Sequence, residues 1–460
     1  MSDRYYLKIG GTEVFNEQFI ADLSSADAET KKKAEAILNE RLKETRVRVG
    51  TLLKTDNVSF LIGAGASMKA GGLGLATIPA ELEKALHNKA QASGNGQDWL
   101  TLFYETVSAL SGQPFDLTER RGRLGGDLNQ GLKIPLNLED YLSRLHMWRA
   151  GMNGIASNTT LNFATGGTLA MSKGGIDRLI REINHSLTAL VDLPANGKED
   201  ALKDHRRLIK KILTRPLNLR RANLFTLNYD TLIEKAADSE GAVLVDGFVG
   251  TLRRIFRPES YDLDFYFPAQ TTEGRVHRFD RALHLYKLHG SSTWHRQVAD
   301  WENPYGLYAT FYQEASEDDV VIFPSPLKYG QALGLPYSEL FRRFGSAIAQ
   351  PQSVLFAIGY GFGDGHVNAL IRQALAIPSF TLVVIDPAPS SDFVNHLKQL
   401  GDERVWLVSG WQLGTFEHFV ERLLPDLREE EITAKVMKTY KALTPATQHD
   451  DSVPENPDGE

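Results

Sequence analysis

Cysteine is absent from all 460 residues. That excludes disulfides, thiol nucleophiles, iron–sulfur clusters and any zinc site built on thiolates. Long apolar runs are missing too. None approaches the roughly 20 residues that span a bilayer, and the opening stretch from Met1 to Gly11 has no apolar core of the kind a secretory leader carries. A cytoplasmic protein without a membrane anchor is the expectation. Nor is there an excess of basic charge: 51 Lys and Arg stand against 58 Asp and Glu, a formal net charge of −7. Direct nucleic-acid binding over a broad surface is therefore not expected. Two basic runs, Lys203–Lys211 and Arg215–Arg221, read as solvated faces before anything else.

What is present is a globular composition, 42% hydrophobic and 24% charged. Short apolar runs that stop abruptly recur at Asn57–Gly63, Ala222–Thr226, Ala282–Leu288, Val320–Phe323, Val354–Gly359, Thr381–Asp386 and Val405–Val408. Such runs fit strands buried on both faces. Helical patterns separate several of them, at Tyr229–Asp238 and His366–Ala376 for example, which predicts an α/β fold with a mainly parallel sheet. Residues 1–54 read as a strand (Tyr5–Ile9) and a charged helix whose apolar face is Ala34, Ile37, Leu38 and Leu42. Residues 80–212 read as a mostly helical insertion, with patterns at Ile78–His87, Trp99–Leu110, Leu138–Trp148 and Ile176–Leu193. Glycine-rich or polar stretches at Arg120–Gly131 and Gly151–Gly167 join them. A nucleotide-type core over 55–420, a C-terminal helix over 421–443 and a disordered tail over 444–460 complete the division. The tail holds five acids, three prolines and no Lys or Arg.

Five motifs sit where these strands end. Gly63-Ala64-Gly65-Ala66-Ser67 is a turn in which backbone N–H groups can approach a pyrophosphate. Met68 stands where the dehydrogenase fingerprint needs glycine, so the match to that fingerprint is incomplete. Asn228 and Asp230 follow the second core strand, and Asp230 could equally cap the next helix. His289, after Leu288 and before Gly290, is placed for acid–base work. A second glycine-rich turn, Gly359-Tyr360-Gly361-Phe362-Gly363, runs into Asp364 as a helix cap. Asp386, ahead of Pro387, can accept hydrogen bonds from a ribose or simply start a turn.

In this order the motifs resemble the sirtuin (SIR2) superfamily, and within it the SIR2-like branch of bacterial anti-phage defence proteins. The resemblance covers about 55–75 and 220–410. It implies a Rossmann-like, sirtuin-like core and NAD as the substrate. Gly63, Ala64, Gly65 and Ser67 would then hold the pyrophosphate, and Gly359, Tyr360 and Gly361 the second phosphate and ribose region. Asn228 would contact the nicotinamide ribose and place a water. Asp230 would hold the carboxamide, His289 would act as general base, and Asp386 would hold the adenosine ribose. Two departures matter. Deacetylating sirtuins carry a four-cysteine zinc module, which this chain cannot have, and a glutamine where Leu227 stands. The expectation is therefore a metal-free NAD hydrolase releasing nicotinamide and ADP-ribose, with cyclisation of ADP-ribose a lesser outcome. A protein deacylase or ADP-ribosyltransferase and a non-catalytic NAD or ADP-ribose sensor stand as alternatives. As an NAD-depleting defence effector it would form a homo-oligomer and could act with a HerA-type ATPase.

Overall fold

A computed structural model describes residues 5–15, 17–74, 77–92, 97–111, 138–152, 173–191, 193, 201–268, 276–310, 336–432 and 435–436. The strand expected at Val320–Phe323, the stretch Arg120–Gly131, all of 153–167 and the acidic tail lie outside them.

The chain opens with β1 (Tyr6–Ile9), β2 (Thr12–Glu13), α1 (Glu17–Leu23), α2 (Ala28–Leu53) and β3 (Asn57–Ile62). Among the described residues four helices follow, α3 (Ile78–Ala92), α4 (Gln97–Ser111), α5 (Leu138–Gly151) and α6 (Lys173–Val191). Next come α7 (Lys203–Ile212), β4 (Asn223–Thr226), α8 (Leu232–Ser239) and β5 (Val243–Val245). Short strands β6 (Phe248–Val249), β7 (Arg254–Phe256), β8 (Tyr266–Pro268) and β9 (Val276–Arg278) precede β10 (Ala282–Lys287), β11 (Trp294–Arg296) and β12 (Leu307–Ala309). The chain then alternates through α9 (Tyr337–Ile348), β13 (Ser353–Ile358), α10 (Gly365–Leu375), β14 (Thr381–Ile385), α11 (Asp392–Leu400) and β15 (Val405–Ser409).

Among the described residues nine strands form one sheet in the order β2-β1-β15-β14-β13-β3-β4-β10-β5. Every pairing from β15 to β5 is parallel. The near-continuous apolar runs follow from that topology: all six residues of β13 and five of six in β3 are buried, because helices cover both faces. Phe60 and Phe356 stack across the β3–β13 pair with ring centroids 5.1 Å apart. After β3 the chain moves to β4 on one side, and it returns later to β13 on the other. The crevice beyond the carboxyl ends of β3, β4 and β13 is thus a topological switch point, where such sheets bind ligands. The N-terminal strand adds to the opposite edge, antiparallel to β15.

One face of the sheet packs on α2, α7 and α8, the other on α9, α10 and α11. Helix α2 starts at Asp27, which accepts from the Thr30 N–H at 2.9 Å, and buries Ala34, Leu38, Val49 and Leu53. Ile37, expected on that face, is 43% exposed, since the buried stripe runs one step further round the helix. The four helices α3 to α6 build a core of their own around Phe103, Tyr104, Tyr141 and Leu145. Helix α7, read from sequence as part of that insertion, instead buries Leu208, Ile209 and Ile212 against the sheet.

Two other expectations change. The basic runs are not simply solvated: Lys211 caps the carbonyls of Val420 and Leu424, both at 2.6 Å. Arg215 donates to the carbonyls of Thr55 and Arg220, and Arg221 pairs with Asp264. The helix expected over 421–443 is broken. A helical turn ends at Leu424, which is extended because it precedes Pro425, and helix resumes at Leu427, described over 427–432 and at 435–436. No expectation covered β6, β7, β11 and β12, which form a separate four-stranded sheet among the described residues. Strands of two or three residues are too short for periodicity to reveal. Among the described residues no helix is long and apolar enough to cross a membrane.

Candidate functional site

Strand β3 ends at Ile62 and turns through Gly63 into two short 3₁₀ turns, Ala64–Ala66 and Met68–Ala70. Strand β13 ends beside it and turns through Gly359, whose φ of +60° suits glycine. The two turns touch backbone to backbone. Gly63 N donates to Ile358 O and Gly65 N to Gly359 O, each at 2.9 Å. A Cβ on Gly65 would lie 2.7 Å from Gly359 Cα, and one on Gly63 would lie 2.5 Å from Gly359 O. These glycines are therefore demanded first by turn-on-turn packing. Gly361 and Gly363 differ, because a Cβ on either meets nothing within 4 Å.

Between the turns opens a cavity of about 300 Å³. Gly63, Ala64, Ser67, Asn228, Asp230, His289, Gly359, Tyr360 and Gly361 line it, as do Leu227, Gly363 and Asp364. Nine of the residues singled out from sequence thus meet here, from four separate strand ends. Gly65 and Asp386 do not line the cavity wall. Gly65 lies in the turn contact just described. Asp386 starts a turn, its Oδ1 accepting from Ala388 N at 2.8 Å, and burial pushes its carboxyl above the usual 3.8.

The polar side chains are linked. Asn228 Nδ2 donates to Gly63 O at 3.0 Å and to Ser67 Oγ at 2.9 Å. Only an amide NH₂ can donate to a backbone carbonyl, so this geometry fixes the amide orientation and leaves Oδ1 as the acceptor. Ser67 in turn donates to Asp230 Oδ2 at 2.6 Å, and Asp230 Oδ1 accepts from Leu232 N at 3.1 Å. Ser67 is 4% exposed, and its hydroxyl proton is committed to Asp230 rather than offered to a phosphate. The loop carrying Asn228 and Asp230 is gripped from below by Lys287, whose ammonium reaches the carbonyls of Tyr229 and Asp230 and the carboxylate of Glu234 at 2.8 Å. Burial raises the Glu234 carboxyl above its usual range, and the Lys287 charge offsets only part of that shift.

On the far side of the cleft His289 is 6% exposed, with Nε2 3.1 Å from Asp364 Oδ2. The remaining wall is apolar and comes from the inserted helices and the segments flanking them: Leu73, Ile78, Leu190, Val191 and Leu193. Lys235 on α8 donates to Leu193 O at 3.1 Å and ties this wall to the core.

Sequence reasoning missed three contributors. The sequence marks Asp364 only as a cap, because its contact with His289 joins residues 75 positions apart. Lys287 reads from sequence as one residue of a strand. His205, on α7, packs its ring on Phe416 with centroids 4.8 Å apart. Burial lowers its imidazole from the ordinary 6.5, while the carboxylates of Asp230 and Asp204 oppose that shift.

A parallel α/β sheet with two glycine turns and a polar cluster at its switch point is the arrangement in which open α/β sheets bind nucleotides. Residues 222–403 match the family model of the SIR2-like domain, which supports a place in the SIR2-like superfamily and a NAD-related activity. The match takes in Asn228, Asp230, His289, Asp364 and Asp386, while the Gly63–Ser67 turn lies ahead of it. No curated protein matches the chain.

Proposed function

We propose that the protein is a NAD hydrolase that splits the nicotinamide–ribose bond, giving nicotinamide and ADP-ribose. The observation that carries this reading is the convergence of two polar groups across one cleft: the Asn228–Ser67–Asp230 chain on one side and His289 with Asp364 on the other. In the step proposed, the bond between C1′ and the pyridinium nitrogen breaks and its electron pair leaves with neutral nicotinamide. Water adds to C1′ and its second proton passes to His289. Cleavage through an oxocarbenium-like state needs orientation and exclusion of bulk water more than covalent help. The acceptor oxygen of Asn228 suits a water or ribose hydroxyl, and Asp230 suits the carboxamide N–H. The apolar wall of Leu190, Val191 and Leu193 suits the flat ring and limits the water admitted. Gly361 and Gly363, with open space before them, suit close approach of the phosphates.

Leu227 lines the cleft, and the chain has no cysteine for a thiolate zinc module. Both features favour water over an acylated lysine as the acceptor. An NAD-depleting role in anti-phage defence, as a cytoplasmic homo-oligomer acting with a HerA-type ATPase, extends the same proposal. It fits an activity that a cell must hold in check.

The test is incubation of the full chain with NAD, alone and with such an ATPase, following nicotinamide and ADP-ribose by chromatography. Both products are expected from the wild type. Asn228→Ala and His289→Ala are each expected to lose at least roughly 10²-fold in rate, the first by misplacing the water or ribose and the second by removing the proton acceptor. Intact NAD in every condition, with binding still measurable, would overturn the hydrolase in favour of a sensor.

A further inference from the structure

The sequence marks Asp364 as the cap of α10, and one of its oxygens does that work. Oδ1 accepts from the backbone N–H of His366 at 2.9 Å and of Val367 at 3.2 Å. The other oxygen, Oδ2, lies 3.1 Å from His289 Nε2. We infer that Asp364 is a positioning residue that holds the His289 ring and fixes its tautomer, with hydrogen on Nε2. The inference rests on His289 being the general base of NAD cleavage.

The chemistry leaves little choice of tautomer. Two backbone N–H groups and the N-terminal dipole of an eleven-residue helix stabilise the ionised form of Asp364. An ionised carboxylate only accepts, so the hydrogen between Oδ2 and Nε2 belongs to the ring. A neutral imidazole carries one such hydrogen, and Nδ1 is then without it. The pair is shielded as well as bonded. The side chains of His289 and Asp364 are 8% and 14% exposed, so bulk water competes poorly for either. The rings of Tyr229 and Phe341 each lie with centroids 6.3 Å from that of His289 and restrict its rotation. Asp364 cannot swing away either, since its first oxygen is held by the helix it caps. One carboxylate thus couples the start of α10 to the orientation of a base on a different strand end, as the third group of a nucleophile–base array does.

Two variants separate orientation from capping. In Asp364→Asn the carbonyl oxygen can keep both cap bonds, while the NH₂ replacing Oδ2 pairs with Nε2 only when Nε2 lacks hydrogen. That swap drives the hydrogen to Nδ1. In Asp364→Ser the hydroxyl still caps the helix but is too short to reach the ring. The primary measurement is ¹⁵N NMR of histidine-labelled full chain, with His289→Gln identifying the signal. Hydrogen on Nε2 is expected in the wild type and on Nδ1 in Asp364→Asn. For both variants kcat for NAD cleavage is expected to fall by roughly 10²- to 10⁴-fold, with KM little moved and the urea midpoint retained. Hydrogen on Nδ1 in the wild type, or an unchanged tautomer and kcat in Asp364→Asn, overturns the inference. If the wild type cleaves no NAD under any condition, the hydrolase reading falls, and the ¹⁵N signature still decides what Asp364 does.

Discussion

A side chain's chemistry is visible in a sequence, but its partners are not. Ser67 sits in a turn that suggests phosphate contact, yet its hydroxyl bridges Asn228 and Asp230. Lys211 sits in a basic run that suggests a wet surface, yet it is 9% exposed and caps two carbonyls at the end of the turn at Phe419–Leu423. Burial pushes the Lys211 ammonium down from 10.5 to about 8, with Arg46 and Arg207 adding to the shift. The folded chain then binds fewer protons than the unfolded chain between about pH 8 and 10.5. Stability therefore rises with pH across that window, because the cost of burying the charge is present in full below it and is relieved above it. Lys211→Met cannot titrate. The stability of the wild type minus that of the variant, from urea unfolding, is expected to grow from neutral pH towards pH 10. A flat difference would show that the ammonium is not desolvated.

The elements were more legible than their ends. Apolar runs of four to six residues at β3, β4, β10, β13, β14 and β15 announce strands buried on both faces, and the structure has strands at each. The glycines at the ends of β3 and β13 announce turns, but not which surface each one serves. A Cβ at Gly65 would press on the backbone of Gly359, and neither turn can yield without moving its strand. Gly65→Ala is expected to cost about 1–3 kcal/mol of stability, the usual penalty of overpacking, read as a lower urea midpoint. Gly361 faces open space in the same cleft. Gly361→Ala is expected to leave the midpoint unchanged and, under the proposed function, to raise KM for NAD, because the added methyl would enter the space proposed for the phosphates. Equal loss of stability in both variants would refute this division between packing and ligand glycines.

For the whole molecule, the consequential feature is that the insertion between β3 and β4 has its own core and still walls the cleft. Phe103 lies fully buried in that core, edge-on to Tyr104 and Tyr141 with centroids 5.3 and 5.9 Å away. Phe103→Ala is expected to remove about 3–5 kcal/mol from the insertion. By hydrogen exchange the loss of protection should concentrate in α3 to α6, while the amides of β3, β13 and β14 keep theirs. Uniform loss across the sheet would mean that the two cores unfold as one unit. Residues 80–212 read as a single insertion, but α7 joins the sheet because its apolar face, Leu208, Ile209 and Ile212, meets the sheet core rather than α3 to α6.

The sequence by itself determined the α/β class, the parallel core strands, the absence of thiol chemistry and the motifs from which nine cleft residues come, since burial pattern and residue type are local properties of the chain. Only the tertiary structure decided that Asp364 meets His289, that Lys287 holds the Asn228–Asp230 loop, that Asp386 stays off the cleft wall and that Gly65 serves packing. Each of those depends on a distance between segments far apart in the chain. Such distances are set by strand order and helix packing, which local periodicity does not encode.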